Sequence, residues 1–538
     1  MPRIQQLTVW FFLTFLSFYS VSTQSQPRRN QLPSRIDIQF LDATTNRPTP
    51  ARVRLTQNGH VVKQFPAEAV AVMYGLWDHE DGYGFQPDSS FYVAGRFRLT
   101  LPPGTYQLSL SKGPEFLSQQ HTLVVPAGKA LQRTYRLTRW VNMTAKGWYS
   151  TDGHIHLRRS PRENPLIMTW LQAEDVHVGA LLRMGDFWET YYPQYAYGQK
   201  GTYQQGKFLL TAGQEDPRTP ELGHAFALGA NDRVRRRDRY YYFDEVFDKI
   251  HQLSGLVGYA HQAQTFHGYR GLTLDGLRGK VDAFELLQFC VDAHPLHPEH
   301  YYHLLDLGIP LTATAGSDFP WCGQDHGQGP PERTSRIGNA RFYVYLGHDS
   351  LSLPNWRKAI LAGHTFVSSG PILDLRVNNT LPGDRIDIKR GTNLTITVQA
   401  DGHANQVPLD TLELVSHGQV IGRVTARQPG QSAQHLSLTM TLPSVERGRW
   451  IAARCTAGPS QAAHTTPVYV TVDGGGFHNP ETAGRYLDLS EQYLQEIERE
   501  ISKPNPAVEQ QVWKYADGLR TRVTEARRII DEMRRKLR

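Results

Sequence analysis

Residues 147–157, GWYSTDGHIHL, decide the fold of this chain, because a short β-prone run ends there in a His-x-His pair. In an extended strand, residues two apart point to the same side. His154 and His156 can therefore bind one ion together while Ile155 faces the core. The stretch predicts a strand whose end carries a metal site.

Further acidic residues and histidines follow short apolar or β-prone runs in the same central region. Counted from His154, they are separated by 32, 29, 46, 24 and 33 residues, and they are Asp186, Glu215, His261, Glu285 and Asp318. Each interval is close to the length of one β/α unit. In a parallel β/α barrel the loops after the strands build the active site at one mouth. If these strands are parallel and wound into a barrel, the dispersed side chains converge.

The candidate ligands are imidazoles and carboxylates without thiolate, which favours Zn, Mn or Fe(II) over copper(I) or an iron–sulfur cluster. A carboxylate such as Glu215 can bridge two ions, an arrangement that activates water for attack. The central region contains no Gly-x-Ser-x-Gly elbow, Walker loop or dinucleotide fingerprint. The residues therefore predict a hydrolase that needs no side-chain nucleophile.

Several motifs of the central region occur in a characteristic order: GWYSTDGHIHL, TAGQEDP with GHAFALG, GYAHQ and TATAGSDFP. As a set they resemble the motifs of the polymerase-and-histidinol-phosphatase (PHP) superfamily of metallohydrolases. The later passages RTSRIGNARFYVYLG and AILAGHTFVSSGPILDL make the chain similar to the CehA/McbA (carbaryl hydrolase-like) family. The likeness covers roughly residues 147–375.

The resemblance implies a distorted (β/α)7 barrel that binds one to three divalent ions. By motif match, its metal ligands would be His154, His156, Glu215, His224, His261 and Asp318. Two histidines usual in the superfamily are absent, since Phe187 follows Asp186 and Phe319-Pro320 follows Asp318. The site is therefore expected to hold fewer ions than the fullest members, with Asp186 as a ligand or a base.

Other side chains are candidates for substrate contact. Arg333 and Arg336 follow Asp318 and either hold an anionic or carbonyl oxygen or form surface salt bridges. Arg333 is predicted as a catalytic residue together with Asp186. The aromatic residues between 188 and 197 either line a substrate cleft or only pack.

The segments outside the central region predict three further domains. Residues 34–138 alternate apolar and polar residues between turns, which predicts an antiparallel β-sandwich, and LPPGTYQLSLSKG resembles transthyretin-like or carboxypeptidase-regulatory-like domains. Residues 373–475 predict a second sandwich of immunoglobulin-like size. Residues 480–538 predict a helical hairpin. The predicted fold class is multidomain α/β plus β: a PHP-type barrel over residues 147–372, flanked by two antiparallel β-sandwiches and the hairpin.

The first residues of the chain bear on its destination. An apolar run over residues 7–21 follows Arg3 and precedes small polar residues, which predicts a signal peptide over residues 1–23 and export to the periplasm, cell surface or medium. An uncleaved anchor is the alternative. No transmembrane span is expected after removal of the signal.

The net charge of +7 does not indicate nucleic-acid binding. From Trp513 onward the chain has nine Lys or Arg against four Asp or Glu, so most of the excess lies in one predicted helix. No nucleic-acid recognition motif accompanies it. A solvated helix face is the simplest interpretation, with docking on an anionic surface as the alternative.

These patterns together predict an exported, divalent-metal-dependent hydrolase. The metal-activated water would act on an ester, phosphoester or carbamate bond of a small-molecule or carbohydrate-derived substrate. The alternative is a non-catalytic protein with a degenerate barrel that binds glycans or the cell envelope through its sandwiches. The sequence makes no prediction of oligomeric state.

Overall fold

The computed structural model of the protein describes residues 32–72, 86, 89–288, 296–320, 335–504 and 512–537. The structure is mostly β, with 41% of residues in strands and 23% in helices. It confirms a chain rich in β-sheets that ends in a helical hairpin. The predicted signal peptide over residues 1–23 and Arg333 lie outside the described residues.

The N-terminal strands form two sheets around a shared core. They are β1 (Ser34–Asp42), β2 (Ala51–Gln57), β3 (His60–Val61), β4 (Phe91–Val93), β5 (Arg96–Leu101), β6 (Gly104–Ser111), β7 (Gln119–Val125) and β8 (Leu131–Leu137). One sheet has the order β5-β1-β8 and the other β3-β2-β6-β7, with β4 on β2. β1 and β8 pair in parallel, and the remaining pairs are antiparallel. Alternate residues are buried, which gives each sheet one apolar face.

The central region alternates strands with helices. Its elements are β9 (Trp148–Ile155), α1 (Asn164–Ala173), β10 (Val178–Gly185), β11 (Thr190–Tyr191), β12 (Tyr203–Gln205), β13 (Phe208–Thr219), β14 (Gly223–Leu228), α2 (Phe243–Gln252), β15 (Leu256–Tyr259), α3 (Gly268–Leu277), β16 (Ala283–Gln288), α4 (Glu299–Asp306), β17 (Thr312–Gly316), β18 (Arg341–Tyr345), α5 (Leu353–Leu361) and β19 (Thr365–Ser368). Strands β9, β10, β13, β14, β15, β16 and β17 pair in that order.

This central sheet closes on itself. The segment after β17 returns to β9, where the N–H of Asp318 donates to the carbonyl of His154 and the N–H of His156 donates to the carbonyl of Phe319. Closure therefore brings the first and last strands of the region together.

His154 and Asp318 are thus 164 residues apart along the chain and direct neighbours in the folded sheet.

The strands of the closed sheet are not all parallel, and the expectation of parallel strands is wrong for β14. This strand runs antiparallel to both β13 and β15. The pairs β9–β10, β10–β13, β15–β16 and β16–β17 are parallel. The reason is a short turn between β13 and β14, closed by Gly223 at φ 87°, in place of a crossover helix. The reversal sets His224, at the start of β14, opposite Arg218 near the end of β13. His224 therefore lies at the same mouth as the ends of the parallel strands.

The third region is again a β-structure. Its strands are β20 (Ile372–Val377), β21 (Arg385–Ile388), β22 (Thr392–Asp401), β23 (Leu409–Ser416), β24 (Gln419–Thr425), β25 (His435–Val445), β26 (Arg449–Ala457), β27 (Gln461–Thr465) and β28 (Val468–Val472). β20, β22 and β25 form one sheet, and β23 pairs with β24 and β26 in another. β27 pairs with β19 of the central region, with Phe366 opposite Thr465. The third region thus continues the central sheet.

The C-terminal hairpin consists of α6 (Ala483–Ile501) and α7 (Ala516–Leu537). Its buried leucines, including Leu494 and Leu519, belong to the same apolar core as the central region. The basic side chains of α7 have acidic partners: Arg522 lies 2.6 Å from Asp244, and Arg527 lies 2.9 Å from Glu491. Ion pairs within the fold therefore account for part of the basic charge of this helix. Among the described residues, no helix is both long and apolar enough to span a bilayer.

Candidate metal centre

The candidate centre is built around the end of β9. His154 and His156 are both buried, and their Nε2 atoms lie 3.1 Å apart. Ile155 between them packs with Trp170 and Phe319 in an apolar cluster. This is the alternation that an extended strand imposes. Both imidazoles consequently lie on one side of the backbone.

An acceptor behind each ring sets which nitrogen carries the hydrogen. His156 Nδ1 lies 3.1 Å from the carbonyl oxygen of Leu182, and His154 Nδ1 lies 3.0 Å from Glu285 Oε1. Carbonyl and carboxylate oxygens only accept, so each Nδ1 donates. In the neutral rings both Nε2 atoms then present lone pairs. Such outer partners are the usual device for orienting metal-binding histidines.

Two carboxylates converge on the same pair of nitrogens. Asp318 Oδ1 lies 3.1 Å from His156 Nε2 and 3.5 Å from His154 Nε2. Glu215 Oε2 lies 3.4 Å and 3.8 Å from the same two atoms. Four buried acceptor atoms therefore face one another. Such an arrangement is costly unless a cation or a proton lies among them.

A second part of the cluster lies on the other oxygens of these carboxylates. His261 Nε2 is buried without a hydrogen bond, 3.6 Å from Glu215 Oε1 and 3.4 Å from Asp318 Oδ2. His224 Nδ1 lies 2.9 Å from Glu215 Oε1. Within the described residues, three sets of side chains offer ligand atoms within 4.8 Å of one another: His154, His156 and Glu215; Glu215, His224 and His261; and His154, His261 and Glu285. These buried His and Glu groups could hold a metal ion.

The electrostatics of the cluster favour positive charge. Burial alone would lower the pKa of His154, but the carboxylates of Glu285 and Asp318 outweigh it and raise that pKa well above its usual value. Burial would raise the pKa of Asp318, but the His154 imidazole and the neighbouring imidazoles hold it well below its usual range. A metal ion supplies the charge that these carboxylates otherwise draw from a proton.

Backbone packing fixes the distance between β9 and β17. A Cβ on Gly316 would lie 2.2 Å from the Cβ of His154 and 2.8 Å from its nitrogen, so only glycine permits this approach. The Asp152 carboxylate accepts backbone N–H groups from His154 at 3.1 Å, Ser317 at 3.0 Å and Gly338 at 2.7 Å. These contacts hold three chain segments together beside the cluster.

Two residues of the cluster have a backbone that non-glycine residues rarely adopt. His261 has φ 55° and Asp318 has φ 52°, both in the left-handed region. The N–H of His261 donates to Glu285 Oε2 at 2.8 Å, and that of Asp318 donates to His154. Such conformations persist where the surrounding structure determines them, and they cluster at functional sites.

The structure brings together the six side chains that were predicted as ligands, whereas Asp186 has local partners. Its Oδ1 accepts the N–H groups of Trp188 at 2.7 Å and Glu189 at 2.8 Å, and Oδ2 accepts the Tyr191 hydroxyl at 3.1 Å. This is a turn of the kind that aspartate forms after a strand. Asp186 belongs to none of the three ligand sets found among the described residues. Its role, like that of Arg333, stays a prediction.

Sequence reasoning did not predict the contacts that Glu285 and Arg218 make at the cluster. Glu285 lies in the regularly spaced set, but its contact with His154 was not foreseen. Arg218 has its Nε 3.1 Å from Glu215 Oε2 and 3.2 Å from His224 Nδ1. The signal for Arg218 was the turn between β13 and β14, because a hairpin there makes Arg218 and His224 cross-strand partners.

Aromatic rings border the cluster, and one of them comes from the predicted aromatic stretch. Tyr192 stacks on His156 at 5.3 Å between centroids. Phe266, which is 50% exposed, stacks on His224 at 4.3 Å. Phe266 therefore presents an exposed aromatic ring directly beside a buried imidazole of the cluster.

Comparisons with known proteins give no family for the chain. No protein-family model and no curated protein match it. Among solved structures, the fibronectin(III)-like modules of Clostridium thermocellum CbhA share 13% identity over 18% of this chain and 94% of theirs, with a TM-score of 0.14. A β-glucosidase from Listeria innocua shares 12% identity over 20% of this chain and 16% of its own, with a TM-score of 0.13. The β-glucuronidase of Bacteroides uniformis shares 10% identity over 82% of this chain and 58% of its own, with a TM-score of 0.16. Likenesses at these TM-scores carry no argument about fold or function.

Proposed function

We propose that this protein is a divalent-metal-dependent hydrolase whose centre is the cluster of His154, His156, Glu215, His224, His261 and Asp318. The observation that carries the proposal is the convergence of buried acceptor atoms around the Nε2 atoms of His154 and His156. Their Nδ1 atoms already donate to Glu285 and Leu182. When the rings are neutral, the atoms that face one another inside the cluster are therefore acceptors, and Arg218 donates to one of them, Glu215 Oε2, at 3.1 Å. A converging set of acceptors of this kind is the chemistry of a cation site.

The donor set fits a borderline transition metal. His154, His156, Glu215 and Asp318 would hold one ion, since their ligand atoms face one another from β9, β13 and the end of β17. Glu215, His224 and His261 form a second set on the opposite oxygen of the same carboxylate. Nitrogen and oxygen ligands without thiolate suit Zn, Mn or Fe(II).

A bound divalent ion of this kind supplies Lewis acidity and makes a water molecule a stronger nucleophile at neutral pH. The protein's own part is to hold the ligands in place and to exclude bulk water, which the burial of the cluster provides. Arg218, whose side chain is 19% exposed, places a positive charge at the edge of the cluster. Positive charge at that edge favours a substrate oxygen that becomes negative during the reaction.

The proposed barrel class is the distorted (β/α)7 barrel of the PHP superfamily, with the chain in its CehA/McbA branch. The closed central sheet of β9, β10 and β13 to β17 is compatible with that class. On this basis the substrate carries an ester, phosphoester or carbamate bond and is a small molecule or derives from a carbohydrate. Export through the predicted signal peptide places the activity outside the cytoplasm.

The first test is metal analysis of protein purified without chelator, paired with hydrolysis of aryl phosphate, aryl ester and aryl carbamate before and after chelation. We expect bound transition metal and an activity that chelation removes and metal addition restores. Protein that binds no metal, even after incubation with Zn or Mn, would refute the proposal. Protein that binds metal but hydrolyses none of these compounds would favour the non-catalytic alternative.

Single substitutions test whether the activity depends on the cluster. His154→Ala and Glu215→Ala should each lose most bound metal and activity together, because each removes a ligand atom from the first set. His251→Ala is the matched control, since His251 pairs with Asp282 at 2.8 Å on α2 and belongs to none of the ligand sets. Retained metal and full turnover in His154→Ala or Glu215→Ala would show that the centre lies elsewhere.

A further inference from the structure

Arg218 lies at the edge of the candidate metal centre. It lies in β13, three residues after Glu215, and its side chain is 19% exposed. Its Nε is 3.1 Å from Glu215 Oε2 and 3.2 Å from His224 Nδ1. Pairing with His224 across the β13–β14 hairpin holds it there. The guanidinium therefore contacts two of the three residues in the second ligand set.

At His224 Nδ1 the guanidinium and a second metal ion would compete for the same lone pair, whereas the Glu215 oxygen that Arg218 contacts, Oε2, faces the first ligand set. The guanidinium has donors and no lone pair, so it can satisfy Glu215 and His224 but cannot act as a ligand. A second divalent ion at the His224 ring would bring two positive charges to within a few ångströms of the fixed positive charge of Arg218.

The charge balance of the cluster also favours one divalent ion over two. Three carboxylates, those of Glu215, Glu285 and Asp318, contact the imidazoles of the cluster. The Arg218 guanidinium reduces their total of three negative charges to a net of two, which one divalent ion neutralises. With two divalent ions the group would be left with a net of two positive charges in a buried site, which is costly.

We propose that Arg218 takes the place of a second metal ion, so that the centre holds a single divalent ion among His154, His156, Glu215 and Asp318. This inference rests on the proposed function, because it presumes that the first set binds metal. His224 and His261 then lie beside that ion and are not ligands of a second ion. The number of ions per chain becomes a property set by one arginine.

The test measures metal stoichiometry in the full-length protein. Metal-free wild type, Arg218→Met and Arg218→Gln are titrated with Mn²⁺ by calorimetry, and electron paramagnetic resonance reports whether two Mn²⁺ ions are coupled. Arg235→Met is the matched control: Arg235 pairs with Asp216 at 2.7 Å, and its side chain is 21% exposed. Circular dichroism and thermal unfolding confirm that each variant is folded.

We expect one Mn²⁺ per chain in the wild type and in Arg235→Met, and two coupled ions in Arg218→Met and Arg218→Gln. Two ions in the wild type, or one ion in both folded Arg218 variants, would overturn the assignment of Arg218 while leaving the hydrolase proposal intact. No bound ion in the wild type would overturn the proposed function itself. If neither Arg218 variant folds, two coupled ions in the wild type would still overturn the assignment of Arg218.

Discussion

Glu285→Gln tests whether the groups behind the ligands hold the centre together. Glu285 uses both oxygens: Oε1 accepts from His154 Nδ1 at 3.0 Å, and Oε2 accepts the backbone N–H of His261 at 2.8 Å. Glutamine keeps the size of the side chain but has one acceptor oxygen. One of the two donors must therefore lose its partner, and the negative charge is lost as well.

The expected loss of metal affinity follows from the loss of one hydrogen bond to a charged group. A hydrogen bond to a charged group contributes about 1.5–3 kcal/mol. Since about 1.4 kcal/mol corresponds to a tenfold change in a binding constant, the metal affinity should fall roughly 10- to 100-fold. Losses of the same order are typical when the partner behind a metal-bound histidine is removed.

The assay is competition for Zn²⁺ against a chromophoric chelator, with folding checked by circular dichroism. Glu413→Gln is the control, because Glu413 is also a largely buried carboxylate that accepts from two side chains, Arg423 and Arg454, but lies in the third region. Its affinity should equal that of the wild type. A folded Glu285→Gln protein that binds Zn²⁺ within about threefold of the wild type would refute the role given to Glu285.

Three further outcomes follow from the same geometry. Asp152→Ala leaves three buried N–H groups without their acceptor, so it should reduce the free energy of unfolding by about 3 kcal/mol or more, and an unchanged urea midpoint would contradict this. Gly316→Ala should weaken metal binding and lower Tm, because its Cβ has no room beside His154, whereas Gly484→Ala, whose Cβ would meet nothing within 4 Å, should change neither. The apparent metal affinity should rise as pH rises from about 6 to 8. The raised pKa of His154 keeps that ring protonated in the metal-free protein, so a metal ion must displace the proton. An affinity independent of pH over that range would argue against metal binding at His154.

The contacts that the sequence could predict are those set by local periodicity. The His-x-His pair follows from the alternation of a strand, and the structure places His154 and His156 on one side of β9 as expected. The regular spacing also brings Glu215, His261 and Asp318 to that strand end. The alternation along β9 needs no knowledge of the tertiary fold, whereas the convergence of Glu215, His261 and Asp318 was predicted on the condition that the strands form a barrel.

The contacts that the sequence could not predict depend on strand direction and on long-range closure. The prediction of convergence assumed parallel strands, and only the antiparallel course of β14 places Arg218 against His224. Asp152 binds backbone groups of Ser317 and Gly338, which are 165 and 186 residues away in the chain. Propensity and spacing carry no information about such partners.

The pairing of β19 with β27 limits how the protein can be divided. Besides the ladder from Phe366 to Thr465, the Thr466 hydroxyl accepts the N–H of Ala313 in β17, the strand that leads to Asp318. A gene fragment ending near residue 372 would leave β19 with an open edge and remove this support. Open edges pair with other chains, so such a fragment should aggregate. We therefore expect the central sheet and the third region to require expression as one piece.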